Sequence, residues 1–206
     1  MRAPVQALLI LAGLLLVGAV AGVFVMAGHG ISAREQPSAT EELLARTMRR
    51  LATPASVRAA RNPVAPAPEA LARARAHFAD HCASCHGNDG RGQTRLGQNL
   101  YPKAPDMTAA ATQSLTDGEL FSIIENGIRL TGMAAFGSPD PDDDAETWEL
   151  VHLIRRLPKL TPEEIAEMEA LNPKSRAQFE EEDAIRNFLA GEDAGPPAGA
   201  DAKRHH

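Results

Sequence analysis

Two cysteines among 206 residues leave no material for a disulfide framework once a single site consumes both. Aromatic residues are scarce too, at 4%, with one Trp, one Tyr and six Phe. A small domain so poor in aromatics has trouble building a core from side chains alone, and a buried apolar prosthetic group would supply the missing bulk. No stretch alternates apolar with polar residues at strand spacing, and no segment repeats. The fold class is therefore all-α.

Charge is missing from residues 5–28, and 8–26 is apolar or glycine throughout, with Arg2 the only charged side chain before it. A secretory apolar region runs about 7 to 15 residues, whereas crossing the hydrocarbon takes about 20. Length thus favours a retained transmembrane anchor over residues 1–28, against the alternative of cleavage at the small residues Ala27, Gly28 and Gly30. By the positive-inside rule Arg2 and the amino terminus stay in the cytoplasm, so the rest of the chain lies on the periplasmic side of the inner membrane. Elsewhere charge is lopsided. The formal net charge is −6, but 34–75 holds eight Arg against four acids, and 140–192 holds fifteen acids against six basic residues. Such a chain orients near a charged partner, or carries solvated faces of opposite sign. Nothing in the pattern points to nucleic acid.

Residues 29–68 are polar, Ala-rich and broken by Pro37, Pro54, Pro63, Pro66 and Pro68, which reads as a tether. Within it Thr40, Glu41 and Glu42 open a run with Leu43, Leu44, Met48 and Leu51 at helical spacing and Arg46, Arg49 and Arg50 later. A short amphipathic helix is expected there, its apolar face docked on the following domain or lying on the membrane, with docking the milder assumption. Residues 69–80 are helical by composition. A Gly-rich loop, 87–105, follows. The next helix is capped by Thr116 or Ser114, carries Leu120, Phe121, Ile123 and Ile124, and ends near Asn126 and Gly127. After a loop over 128–144, a helix over 145–157 carries Trp148, Val151, Leu153, Ile154 and Leu157 and is stopped by Pro158. Thr161, Pro162 and Glu164 form a capping box for a helix to about Leu171. A last helix spans about 175–190, and the Ala/Gly/Pro-rich tail 192–206 reads as disordered.

The chemistry is concentrated in Cys82-Ala83-Ser84-Cys85-His86. Two cysteines three apart followed at once by histidine are the attachment signature of haem c: the thiols add across the two vinyl groups and the imidazole ligates the iron. A thioredoxin-like pair would want a βαβ setting, and zinc would want four Cys or His ligands at paired spacing; neither is present. His86 is carried at the end of the 69–80 helix, with Phe78 facing the core.

Three stretches in this order resemble the class I monohaem cytochromes c: 81–87 with the attachment motif, 101–108 (Tyr-Pro-Lys-Ala-Pro-Asp-Met-Thr) and 126–137 around Met133. The resemblance covers roughly 69–158. It implies a cytochrome c-like helical domain whose first and last core helices cross around one covalent haem c, with iron between His86 and a distal Met133. The other methionines fit less well. Met1 and Met26 belong to the leader, Met48 to the tether, Met168 to the capped helix beyond the core, and Met107 sits beside a helix start. Met133 lies in a loop between Gly132 and Gly137 that lets backbone approach a ring. His152 is its rival and would make the site bis-imidazole; His77 and His81 read as surface residues. Family members hold the proximal imidazole through a carbonyl of the loop after the motif, which here falls to Gln98 or Pro102. Phe78 and Trp148 are the expected aromatic partners between the crossing helices, and Leu153 replaces a common Tyr.

The domains expected are thus an anchor (1–28), a tether (29–68), a cytochrome c domain (69–158), a helical extension (159–191) and a tail (192–206). The function implied is membrane-tethered electron transfer between redox proteins, not catalysis. A haem c subunit of a larger respiratory oxidase or dehydrogenase is the alternative, for which the extra helices would be docking elements. A haem enzyme or gas sensor with an open distal position fits less well, since nothing near Met133 offers an acid or base.

Overall fold

The computed structural model describes residues 2–29, 32–138 and 144–190. Asp142 and Asp143 of the acidic run, and the tail with His205 and His206, lie outside the described residues. Every regular element among the described residues is helical.

Helix α1 (Arg2–His29) contains an apolar segment, Pro4–Phe24, of mean hydropathy 2.7 and no buried residue. It is long enough and apolar enough on all sides to cross a membrane, which fits a membrane anchor. Helix α2 (Ala39–Ala52) starts at a Ser38/Glu41 capping box and buries nothing. The apolar face expected to dock on the following domain is uncovered. A one-turn helix, α3 (Ala55–Arg58), follows.

Helix α4 (Pro68–His77) begins with proline at its first turn, where the missing N–H costs nothing. Ala70, Ala74 and Phe78 recur every four residues and are buried. The two alanines let α4 approach α8 (Asp144–Arg156) closely, so these two helices make the main packing contact of the domain. Leu150, Val151, Leu153 and Ile154 of α8 fill the other side. Arg73 of α4 grips the buried carboxylate of Glu149 through Nε, 3.1 Å from both oxygens. Between them lie α5 (Ala83–His86), α6 (Ala110–Gln113) and α7 (Asp117–Asn126), the last started by a Thr116/Glu119 capping box. Thr116 is thus the cap.

Trp148 and Phe78 share the buried core, but the ring that Trp148 stacks on is Phe121 of α7, centroids 4.2 Å apart and planes 18° from parallel. Helix α9 (Pro162–Ala170) packs on this core through Met168, which is fully buried, while Glu164 bonds to Arg75 and, at 2.7 Å, to Arg156. Helix α10 (Arg176–Ala190) buries none of its described side chains.

Candidate functional site

Five residues of π-helix, Phe78–Cys82, join α4 to α5, so the helix carrying the motif widens by one residue just before Ala83. Such bulges concentrate at functional sites, where they re-aim the side chains that follow. The motif then occupies a single turn. A one-turn helix has no interior, so all of its carbonyls need partners from outside. Each finds one. The Gly87 N–H donates to the Ala83 carbonyl at 2.8 Å, the Thr94 hydroxyl reaches the Ser84 and Cys85 carbonyls at 2.8 and 3.0 Å, and the Gly92 N–H donates to the His86 carbonyl at 2.7 Å. Thr94 in turn accepts the Gly97 N–H at 2.9 Å. A Cβ at Gly97 would lie 2.2 Å from the Cys85 carbonyl oxygen, so only glycine lets this loop close against the motif. Thr94 carries no chemistry of its own and no motif marks it; its role appears only once the loop has folded back.

Cys82 and Cys85 are unpaired and half-buried. Burial first, and the neighbouring Cys85 second, push the Cys82 thiol up to about 12, so it stands neutral. Burial also pushes the His86 imidazole below its ordinary value, with the Pro105 carbonyl acting the other way. That carbonyl faces the ring without reaching hydrogen-bond geometry, and His86 Nδ1 is buried with no partner. The carbonyl therefore comes from neither Gln98 nor Pro102. Gln98 instead donates to the Gly92 carbonyl at 2.8 Å. Pro105 is brought in because Ala104 N–H bonds the Gly97 carbonyl at 3.0 Å and Met107 N–H bonds the Gly90 carbonyl at 2.8 Å, which draws 104–107 back over the motif loop.

Met107 is buried in the core, as a gap-filling methionine should be. Its carbonyl accepts from Gln113 at 2.7 Å. Met133 is half-buried in the loop after α7. Its backbone is held from both sides: the carbonyl accepts the Ile128 N–H at 3.0 Å, and the N–H donates to the Thr131 hydroxyl at 3.0 Å. Gly127, at φ 62°, closes this loop where a Cβ would lie 2.6 Å from the Met133 carbonyl oxygen. At the loop's tip Leu130 adopts φ 63° and is 93% exposed, an apolar side chain held in a conformation that costs about 1–2 kcal/mol. Leu100 packs against Gly132, so the 98–105 and 128–137 loops meet. His152 faces elsewhere: its Nε2 lies 2.8 Å from the Val64 carbonyl, tying α8 to the tether. His77 and His81 also have other partners, Glu146 at 3.0 Å and Asp80 at 3.2 Å.

These residues fit a covalently attached haem. Two free thiols share one helical turn with an imidazole whose Nδ1 is buried without a partner and whose ring lies near the Pro105 carbonyl, the kind of acceptor that orients a metal-binding histidine. Leu96, Tyr101, Leu130 and Phe136 present exposed apolar surface on the loops around the motif and the Met133 turn. A cavity of about 600 Å³ lies between the motif loop and α9, lined by Asn88, Asp89, Ile165 and Asn172, and includes neither cysteine, nor His86, nor Met133.

Residues 69–154 match the family model described as cytochrome c oxidase, cbb3-type, subunit III. Comparison with curated proteins returns no match.

Proposed function

Residues 69–154 are a c-type cytochrome domain, and from that premise we propose that this membrane-anchored chain relays single electrons through one haem c, bound by thioethers at Cys82 and Cys85 and ligated by His86 and Met133. The observation that carries the reading is the His86 ring, one residue after the second thiol, with Nδ1 buried without a partner and both thiols free on the same turn. When bound, the haem supplies a reversible one-electron ferrous/ferric couple whose potential a thioether ligand raises relative to a second imidazole. The residues of the chain do the rest. The satisfied carbonyls of α5 hold His86 in place, the Ile128 and Thr131 bonds hold Met133, and two strong ligands leave no position for substrate, so the domain carries electrons without catalysis. The side of the membrane follows from Arg2: the domain faces the periplasm, with the anchor in the inner membrane.

A second reading makes the chain a haem c subunit of a respiratory oxidase, favoured by the family model that its domain matches. Both readings share the haem site and differ in company. Protein purified from membranes in mild detergent should carry the mass of one haem, show the far-red band of a ferric thioether-ligated haem, and bind no carbon monoxide when reduced. Haem-free protein, or avid carbon monoxide binding, would refute the site. Copurifying oxidase subunits would select the second reading, and a lone chain the first.

A further inference from the structure

Helix α2 is fastened at both ends while its apolar side covers nothing. At the start, the Tyr101 hydroxyl donates to the Glu41 carboxylate at 3.0 Å, tying the helix to the 98–105 loop. At the end, the Arg58 guanidinium bonds the Arg50 carbonyl at 2.9 Å and the Thr53 carbonyl, which fastens α2 to α3. Helix α3 packs in turn on α7, where the Val57 carbonyl lies so close to Gly118 that no Cβ would fit. Between these ties Leu43, Leu44, Met48 and Leu51 are 58–75% exposed. At 100° per residue they fall with Thr47 on one side of the helix. Arg50 borders that side, Arg46 lies beyond it, and Arg49 is on the opposite side. Arg46 pairs with Glu42 at 3.0 Å, and Arg49 and Arg50 have no acidic partner among the described residues.

The occupant of this face is indicated by its neighbour in the chain. Nine residues, 30–38, separate α2 from α1, and fully extended they span about 30 Å at most. A helix with four large apolar side chains on one side and an arginine at their border, held that close to a membrane span, has the make-up of an interfacial helix. Arginine at the border can lay its stem on the apolar surface and raise its head group to lipid phosphate. We propose that α2 lies in the surface of an anionic bilayer with Leu43, Leu44, Met48 and Leu51 inserted and Arg50 on the head groups. This rests on α1 spanning the same membrane. Because α2 is fastened to the 98–105 loop and through α3 to α7, the helix sets the cytochrome domain against the membrane at a defined attitude, with the Tyr101 edge beside the lipid, in place of a domain free on a tether.

The test uses the full-length holoprotein in nanodiscs of phosphatidylcholine and phosphatidylglycerol, the latter carrying a photoreactive diazirine in its acyl chain. After illumination, peptide mass mapping should find lipid adducts in α1 and again within residues 43–51. In the Leu44→Glu/Leu51→Glu variant, which alters only exposed positions and should keep the wild-type visible spectrum, adducts should remain in α1 and vanish from 43–51. Arg50→Gln should weaken labelling of α2 and not of α1. Labelled α1 with unlabelled α2 overturns the proposal and leaves the anchor standing. No labelling of either overturns both. Crosslinks between α2 of two copies in place of lipid adducts would assign the face to a second chain and overturn it as well.

Discussion

Two methionines that look alike in the sequence should behave oppositely when shortened. Met107 is buried in the core, so Met107→Ala should cost about 2–5 kcal/mol of folding stability and leave the haem spectrum unchanged. Met133 sits half-buried in a loop whose bonds are made by its backbone, which alanine keeps. Met133→Ala should therefore retain the covalent haem, lose the far-red ferric band, lower the midpoint potential and admit carbon monoxide. Denaturant titration and reduced-minus-oxidised spectra of the pair separate the roles, and the reverse pattern would move the ligand to Met107. Thr94 offers a second check at this scale. Thr94→Val removes the donor that satisfies the Ser84 and Cys85 carbonyls and should destabilise the holoprotein by about 1–3 kcal/mol, while Thr94→Ser should not.

Among the elements, α8 and α9 are held by charged clamps whose loss should be measurable. Arg155 of α8 reaches the Gln113 carbonyl at 2.8 Å, the Leu115 carbonyl, and Asp117 Oδ1 at 2.8 and 2.9 Å. It thereby fixes the approach to α7. Arg155→Ala leaves these acceptors without their donor and should lower stability by about 1–3 kcal/mol in thermal unfolding. Helix α9 depends on Glu164. The Arg156 hydrogen bond foremost, then the Thr161 N–H and the charge of Arg75, hold its carboxyl below the ordinary carboxylate value. A depressed acid contributes stability above its unfolded pKa and loses it as pH falls through the folded one. The stability gap between wild type and Glu164→Gln should thus be full near neutrality and close on acidification below about pH 4.5. A gap independent of pH would show that the glutamine variant acts through packing alone.

For the whole molecule, anchor and domain should be separable as folds though not in placement. No residue of the 4–24 segment is buried, so replacing residues 1–28 with a cleavable export signal should yield a soluble cytochrome with the wild-type spectrum. That protein should still bind anionic vesicles weakly through α2, and raised salt should release it. A truncated protein whose spectrum changes would show that α1 supports the haem site directly.

The sequence by itself determined the parts that depend on short-range chemistry. The attachment pentapeptide, the all-helical class, the apolar anchor and the starts of α7 and α9 at Thr116 and Thr161 are written in contiguous residues, because caps and motifs act over three or four positions. Tertiary structure decided what distant segments do to one another. The carbonyl facing His86 comes from Pro105 and not from Gln98 or Pro102, because backbone bonds from Ala104 and Met107 draw that stretch over the motif. Trp148 stacks on Phe121 of α7. His152 bonds the Val64 carbonyl, and α2 leaves its apolar face open. Helical periodicity reports that a face is apolar; what covers it depends on where the chain returns, and that is settled only when all the helices have packed.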